Sequence, residues 1–136
     1  HIIIFEGWCV GAKPQKKKYL KKSINILEKE YDPSLIWRSK VNYELQNEYA
    51  EIFNKISRLI FLKVPNFECV YKWRLLQEKK LQLTSKGKKI MSSTQVKKFI
   101  MYYERITKQM LVDLTKKAYV VLYLDKKHRF NRIKFK

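Results

Sequence analysis

Residues 1–11 read HIIIFEGWCVG, and this stretch decides how the rest of the chain is interpreted. Residues 1–5 form a short apolar run rich in isoleucine, which predicts a strand buried on both faces. Gly7 and Gly11 predict that the backbone turns directly afterwards, because glycine adopts turn conformations at little steric cost. Glu6 therefore stands at the carboxyl end of a predicted buried strand, where a charge is costly unless it has a partner or a function.

Helical and strand patterns alternate beyond this stretch. A basic segment over residues 13–22 predicts an exposed loop that leads to a short helix. Asp32-Pro33 provides an N-cap and a first-turn proline for a long helix over residues 33–54. The apolar residues 58–64 predict a second buried strand.

The second half of the chain continues the alternation. Residues 67–83 predict a helix, and Ser92 with Gln95 forms a capping box that begins another helix with an apolar stripe. Residues 118–124 predict a third strand, and residues 129–135 a fourth at the edge of the sheet. Strands that alternate with helices in this way are typical of an α/β fold with a largely parallel sheet. Because such sheets bind ligands beyond the carboxyl ends of their strands, Glu6 is predicted to lie near the site where the reaction takes place.

Composition limits the class of protein. Of the 136 residues, 46% are hydrophobic and 14% aromatic, which is enough for a core and argues against disorder. No apolar run approaches the roughly 20 residues that a bilayer requires, and residues 1–5 are too short for a signal peptide. A cytoplasmic protein that binds no membrane is therefore expected. Two cysteines and two histidines match neither a disulfide framework nor a zinc spacing.

The net charge of +19 suggests an anionic partner. Lysine supplies 25 of the 31 basic residues, whereas arginine is the usual reader of base edges and the usual bidentate partner of phosphate. A basic nucleic-acid-binding module over residues 13–22 and 126–136 is one alternative. Few aromatic residues interleave with those basic runs, which argues against stacking on nucleic acid. Compositional drift toward lysine together with a small anionic substrate explains the charge at least as well as a nucleic-acid partner.

Several motifs resemble the D-glycerate 3-kinase family, which is related to the uridine kinase, phosphoribulokinase and pantothenate kinase group of P-loop kinases. The resemblance covers nearly the whole chain, and its opening signature is specific. The matching residues are, in chain order, Ile3–Gly11, Trp37-Arg38, Val41-Asn42, Val70–Arg74, Gln77-Glu78, Met91-Ser92, Gln95-Val96 and Leu124-Asp125.

The resemblance implies a three-layer α/β/α P-loop kinase-like domain, incomplete at its N-terminal side, of which residues 1–136 form the C-terminal portion. The family begins with a Gly-Lys-Ser/Thr loop that binds nucleotide phosphates. This chain has no such motif, since Gly87 is followed by Lys88-Lys89. The chain is therefore interpreted as a fragment or as a truncated, non-catalytic homologue. The first residue lies inside a predicted buried strand, which favours the interpretation of the chain as a fragment.

By resemblance, Glu6 acts near Mg²⁺ or the substrate, although it could instead cap the turn that follows it. Trp8, Cys9 and Gly11 are expected to shape the wall of the substrate pocket. Cys9 is not expected to act as a nucleophile, because phosphoryl transfer needs no covalent thiol.

Two arginines are candidate ligands of anions. Arg74, on a helix that resembles the family's lid, is predicted to contact the transferring phosphoryl group, with an i, i+4 pair to Glu78 as the alternative. Gln77 shares that face of the helix and could bind substrate or nucleotide. Arg38 is predicted to bind a substrate carboxylate bidentately, with a surface pairing to Glu44 or Asp32 as the alternative.

Asp125 either caps the turn after the last strong strand or lies near the nucleotide base. Taken together, the resemblance implies an ATP-dependent kinase that uses Mg²⁺ and phosphorylates a hydroxyl of D-glycerate or a similar hydroxy acid. Without its phosphate-binding strand the sheet would expose apolar faces and a free edge, which predicts self-association.

Overall fold

The computed structural model describes residues 1–84 and 90–136. Gly87 and Lys88-Lys89, which figured in the motif argument, lie outside the described residues. The described chain contains both helices and strands, as the sequence predicts for an α/β protein, but they do not alternate one by one: four helices precede the first strand, two helices separate the first strand from the second, and the last two strands are consecutive. The elements are α1 (Lys17–Leu20), α2 (Ile26–Tyr31), α3 (Ile36–Gln46), α4 (Glu48–Phe53), β1 (Ile60–Lys63), α5 (Phe67–Thr84), α6 (Ser93–Lys117), β2 (Val120–Leu124) and β3 (Phe130–Phe135).

The three strands form one mixed sheet in the order β1-β2-β3. β1 and β2 are parallel, with Ile60 opposite Val120. β2 and β3 are antiparallel, with Val120 opposite Phe135 and an irregularity between Tyr123 and Leu124. The predicted parallel sheet is thus only half correct, because a short connection such as residues 125–129 can join only antiparallel neighbours.

The strand predicted over residues 1–5 is wrong for this chain. Residues 1–7 have no regular structure, and Ile2 and Ile3 are each 92% exposed. An apolar run becomes a strand only when a neighbouring strand pairs with its backbone groups. No described strand lies beside these residues, since β1 pairs only with β2.

The strand predicted over residues 58–64 is present as β1, but it is not fully buried. Ile60 and Leu62 are more than half exposed, whereas Phe61, which points to the other face, packs against the core. One face of β1 is therefore uncovered, and β1 is an edge of the sheet.

The helix predicted over residues 33–54 is divided into α3 and α4 at Asn47. The backbone there leaves the helical region (φ −113°, ψ −95°), and the Asn47 side-chain amide donates to the Tyr43 carbonyl at 2.8 Å. Asparagine side chains compete in this way with the helical hydrogen bonds. The predicted start at Pro33 with Asp32 as N-cap is wrong, because α3 begins at Ile36 and its N-cap residue is Leu35 (φ 66°). The Asp32 carboxylate still accepts from the backbone amides of Trp37 and Arg38 at 2.9 and 3.1 Å, so it bonds the first turn of α3 from outside the helix.

The 25-residue α6 is the central helix of the fold. Its predicted capping box is present: Ser92 Oγ accepts from the Gln95 amide at 3.3 Å, and Gln95 Oε1 accepts from the Ser92 amide at 2.8 Å. Met110 and Leu114 on α6 join the core cluster, which also contains residues of α3 and α4. Among residues 1–84 and 90–136, no helix is both long and apolar enough to cross a bilayer.

Candidate functional site

The signature turn after residues 1–5 is attached to α6 through Trp8. The indole N–H of Trp8 donates to Thr107 Oγ1 at 3.0 Å. The indole ring stacks on the ring of Tyr103 with a centroid distance of 4.7 Å and an interplanar angle of 14°. An indole that packs on one residue and donates to another has a defined orientation. The predicted pocket-wall residue Trp8 therefore holds the turn against one face of α6.

Gly11 and Cys9 hold the same turn from its other end. Gly11 has a φ of +79°, and a Cβ at this position would approach Leu59 Cδ2 to 3.0 Å. Glycine is therefore required both by the backbone conformation and by the close approach. The half-buried Cys9 packs against the core cluster, and burial raises the pKa of its thiol. The expectation that Cys9 is not a nucleophile stays a prediction.

Glu6 lies at the border between the exposed residues 1–5 and this anchored turn. Its side chain is exposed, so it is available to a ligand or a metal-bound water. No structural contact tests whether Glu6 acts in catalysis, and that role stays a prediction.

Arg74 on α5 makes the pairing that the sequence left as an alternative. Its Nη2 lies 2.5 Å from Glu78 Oε1, and its Nη1 donates to Gln77 Oε1 at 3.2 Å. The pair does not lie on a solvated face, because the side chain of Glu78 is only 4% exposed. Glu78 also accepts from the Met91 amide at 3.0 Å. Within the part of the chain that the structure describes, these bonds use two of the five guanidinium N–H groups, so the others can contact an anion.

A row of aromatic rings on α6 lies between the signature turn and Arg74. Tyr103, which stacks on Trp8, has its ring centroid 5.3 Å from that of Phe99, one turn earlier. The guanidinium of Arg74 lies over the Phe99 ring at 5.6 Å from its centroid. The two specific motifs of the sequence, one at Trp8 and one at Arg74, are therefore brought to the same face of α6.

A cavity of about 350 Å³ lies where the parallel strands β1 and β2 end. Trp73 and His128 meet in it edge to face, with ring centroids 3.9 Å apart. Lys72, Lys126 and Lys127 also line it, although Lys72 pairs with Glu68 at 2.7 Å. The cavity thus combines two aromatic rings with an excess of positive charge.

Asp125 caps the turn after β2, which is one of the two roles that the sequence left open. Asp125 Oδ1 accepts from the amides of Lys127 and Arg129 at 2.7 and 2.9 Å. The hydrogen bond from the Arg129 amide lowers the pKa of the Asp125 carboxyl. His128 completes the turn with a φ of 63°. Asp125 therefore shapes the wall of the cavity that residues 126–128 line.

Arg38 is buried and makes the pairing with Asp32 that the sequence proposed as an alternative to substrate binding. Its Nη1 donates to Asp32 Oδ2 at 2.9 Å, and its Nε donates to the Leu20 carbonyl at 2.8 Å. The predicted pairing was on the surface, whereas both side chains are less than a tenth exposed. These bonds tie α1 to α3. Substrate binding by Arg38 stays a prediction.

Arg105 was not identified as a structural centre from the sequence. Its Nε and Nη2 donate to both carboxylate oxygens of Glu28 at 2.6 and 2.5 Å, and it also bonds the carbonyls of Tyr19 and Lys22. The pair spans 77 residues, so no local pattern could indicate it. A larger groove of about 510 Å³ is lined by both arginines, by their carboxylate partners and by many apolar side chains.

No group of three or more histidine, cysteine, aspartate or glutamate side chains in the described part of the chain is arranged to hold a metal ion. A magnesium ion in a phosphotransferase needs only one or two carboxylates, because phosphate oxygens and water supply its other ligands. The exposed carboxylate of Glu6 fits that limited role.

Comparison with known proteins agrees with the motifs. A D-glycerate 3-kinase from Cryptococcus neoformans var. grubii matches 99% of this chain with a TM-score of 0.77 and 20% sequence identity. A protein of Schizosaccharomyces pombe named uncharacterized kinase mug58 is 35% identical over 102 residues, which is 74% of this chain. No family model matches the chain.

The chain spans only part of these proteins, namely 49% of the solved structure and 35% of the curated relative. At 20% identity the solved structure establishes the fold, and the curated relative adds similarity of sequence to a kinase. The resemblance to D-glycerate 3-kinases that the motifs predicted is therefore confirmed: this chain shares its fold with a D-glycerate 3-kinase and is similar in sequence to part of a kinase.

Proposed function

We propose that this chain is the C-terminal part of an ATP-dependent small-molecule kinase that phosphorylates a hydroxyl of D-glycerate or a similar hydroxy acid. The observation that carries the proposal is the placement of the signature turn and Arg74 along one face of α6, linked by Trp8, Tyr103 and Phe99. The names of the two similar proteins support the reaction class.

The sheet supports a three-layer P-loop kinase-like arrangement that other residues complete. In the described residues, one edge of β1 has no partner strand, and the apolar residues 2–5 are more than half exposed and pair with no strand. A further strand between residues 2–5 and β1 would pair with both and cover their apolar side chains. In this proposal that strand leads into the phosphate-binding loop, because these 136 residues contain no Gly-Lys-Ser/Thr motif.

The residues of this chain would contribute mainly by positioning and by charge. Glu6 would orient a metal-bound water or the acceptor hydroxyl, and the magnesium ion, when bound, would neutralise phosphate charge. Arg74 would direct its unused N–H groups at the transferring phosphoryl oxygens, while Glu78 and Phe99 hold its guanidinium. Gln77, bonded to Arg74, lies within reach of the same ligand.

The cavity at Trp73 and His128 is our candidate for the base of ATP. A flat heterocycle can stack on aromatic rings, and the surrounding lysines attract a polyanion. Ligands of parallel sheets bind at the carboxyl ends of the strands, where this cavity lies. Asp125 would act there by shaping the turn.

The test is a kinetic study of the full-length protein with ATP, Mg²⁺ and a panel of hydroxy acids that includes D-glycerate. We expect ADP release that depends on a hydroxy acid, and no turnover by residues 1–136 alone. Arg74→Gln should lower kcat at least about 100-fold, as the loss of a charge-stabilising donor does. The control Arg132→Lys replaces an arginine that lies over the ring of Tyr123 and should change kcat less than twofold.

Trp73→Leu separates the base site from the acceptor site. It should raise KM for ATP about tenfold, consistent with roughly 1–3 kcal/mol per stacked base, and leave KM for the hydroxy acid unchanged. Absence of nucleotide-dependent turnover in the full-length protein would overturn the kinase proposal. In that case, salt-sensitive binding to RNA or DNA would favour the nucleic-acid-binding alternative, and its absence a non-catalytic kinase-like protein.

A further inference from the structure

Two residues of α6 that carry no assigned role determine where the signature turn lies. Thr107 accepts the indole N–H of Trp8, and Tyr103 stacks on the indole ring. We propose that Thr107 and Tyr103 are positioning residues, which act through Trp8 to fix the carboxylate of Glu6 two residues earlier. This role rests on the proposed function and specifies how its acidic residue is held.

The neighbourhood of Glu6 explains why this anchor matters. On one side, residues 1–5 form no regular structure and are exposed. On the other side, the turn itself is held by the backbone bonds from Val10 to Gly7 at 3.5 Å and from Ala12 to Cys9 at 3.1 Å. The first of these is at the long limit of a hydrogen bond. Among the described residues, Trp8 is therefore the nearest side chain to Glu6 that has both a hydrogen bond and a stacked partner.

Thr107 is an unusual residue for its position. It is 6% exposed and lies on the buried face of α6 between Ile100 and Met110. A buried hydroxyl is costly unless it is bonded, and valine would fill the same volume without that cost. The bond from Trp8 satisfies the Thr107 hydroxyl, so the polar atom at this site orients the indole in addition to filling space.

Tyr103 connects the contacts of Trp8 with the motif that contains Arg74. Its ring contacts both Trp8 and Phe99, and Arg74 lies over Phe99. A change in the position of Tyr103 therefore alters the surface on which both Glu6 and Arg74 depend. Small displacements of catalytic groups are expensive, because about 1 Å of misplacement can cost about 100-fold in rate.

The experiment compares four variants of the full-length protein: Thr107→Val, Thr107→Ser, Tyr103→Leu and Tyr103→Phe. Thr107→Val and Tyr103→Leu should lower kcat about tenfold and change KM for ATP less than twofold. Thr107→Ser retains the acceptor and Tyr103→Phe retains the ring, so both should stay within about twofold of the wild-type kcat.

Thr115→Val is the matched control on the same helix. Among residues 1–84 and 90–136, its hydroxyl bonds its own helix, at the Leu111 carbonyl. It removes a hydroxyl as Thr107→Val does, but it should leave kcat unchanged. A purely structural role for Thr107 predicts instead that Thr107→Val lowers the melting temperature without lowering kcat.

Fluorescence of Trp8 gives a second readout that does not depend on turnover. In a full-length background in which every tryptophan other than Trp8, Trp37 and Trp73 among them, is replaced by phenylalanine, Thr107→Val should increase quenching of Trp8 by acrylamide, and Thr107→Ser should not. If the wild-type protein is active and Thr107→Val keeps the wild-type kcat, the positioning role is overturned and the proposed function is not, whatever the quenching result. Unchanged quenching also overturns the positioning role. A wild type inert toward every acceptor overturns the proposed function, and the positioning role falls with it.

Discussion

The indole ring of Trp8 stacks on the phenol ring of Tyr103 at 4.7 Å, and its N–H bonds Thr107, a residue 99 positions away in sequence. This contact joins the opening signature of the chain to the middle of α6. The contact gives the signature turn a defined position on the fold, although the residues before the turn have no regular structure. Long-range contacts of this kind, more than the sheet, decide where the candidate site lies.

The bidentate pair between Arg105 and Glu28 leads to the first prediction. Arg105→Met should lower the free energy of unfolding by about 3 kcal/mol, because it leaves a buried carboxylate without its charged partner. Urea denaturation followed by circular dichroism measures the change. Lys108→Met, which removes an exposed pair with Glu104, should cost less than about 1 kcal/mol. Equal losses in the two variants would contradict this assignment.

The Glu28 carboxyl also predicts a dependence of stability on pH. Burial raises its pKa, but the bonds from Arg105 and the Ile24 amide, with the charges of Arg105 and Arg38, outweigh burial and lower the pKa below its ordinary 4.5. The folded state therefore holds this proton less tightly than the unfolded state. Its contribution to stability is present above pH 4.5 and is lost as pH falls through the lowered pKa.

Glu28→Gln tests this dependence. The variant should be less stable at neutral pH, and its unfolding free energy should fall less steeply between about pH 5 and pH 3. The pKa of Asp32 is also lowered, because its bonds from the Trp37 and Arg38 amides outweigh burial, so part of the acid dependence should remain. Parallel pH profiles for wild type and variant would refute the role of Glu28.

The Gly11 backbone predicts a strong preference for glycine. Gly11→Ala should cost at least about 1 kcal/mol, because alanine resists the left-handed conformation and its Cβ would crowd Leu59. Thermal unfolding measures the difference. Gly7→Ala is the control, since its Cβ would also approach a side chain, Val10 Cγ2, to 3.0 Å, but no left-handed φ opposes alanine there. A Gly7→Ala variant that is as unstable as Gly11→Ala would contradict the argument.

The buried bonds of Arg38 predict a structural effect on substitution. Arg38→Lys should lower the unfolding free energy by about 3 kcal/mol, because lysine cannot reproduce the bonds to Asp32 and the Leu20 carbonyl. We expect KM for the hydroxy acid to stay within twofold of wild type in the full-length protein. A tenfold rise in KM with unchanged stability would instead support the substrate-carboxylate role.

Local patterns predicted most of the regular structure correctly. α5, β2 and β3 were predicted to within two residues at each end, and the capping box of α6 is present. These elements depend on hydrogen bonds and apolar spacing within a few residues, which a sequence displays directly. The prediction of a strand over residues 1–5 failed because a strand also needs a neighbouring strand. The prediction of one helix over residues 33–54 failed at Asn47, where the side-chain amide bonds the Tyr43 carbonyl and the backbone leaves the helical region.

The candidate site was predictable in part. The sequence identified the Glu6 turn and the proximity of Arg74, Gln77 and Glu78, since residues three or four apart share a helix face. It did not identify Thr107, whose role depends on a partner at the other end of the chain.

The sequence by itself determined the extents of α5, β2 and β3, where α6 begins, and which motifs resemble a kinase. Only the tertiary structure decided that the Trp8 turn and Arg74 lie on one face of α6, that Arg38 and Arg105 are buried in ion pairs, and that residues 1–5 remain unpaired. The physical reason is the distance along the chain over which each interaction acts. Turn and helix preferences act between neighbours in the chain, whereas stacking, ion pairing and strand pairing depend on which distant surfaces come into contact when the helices pack.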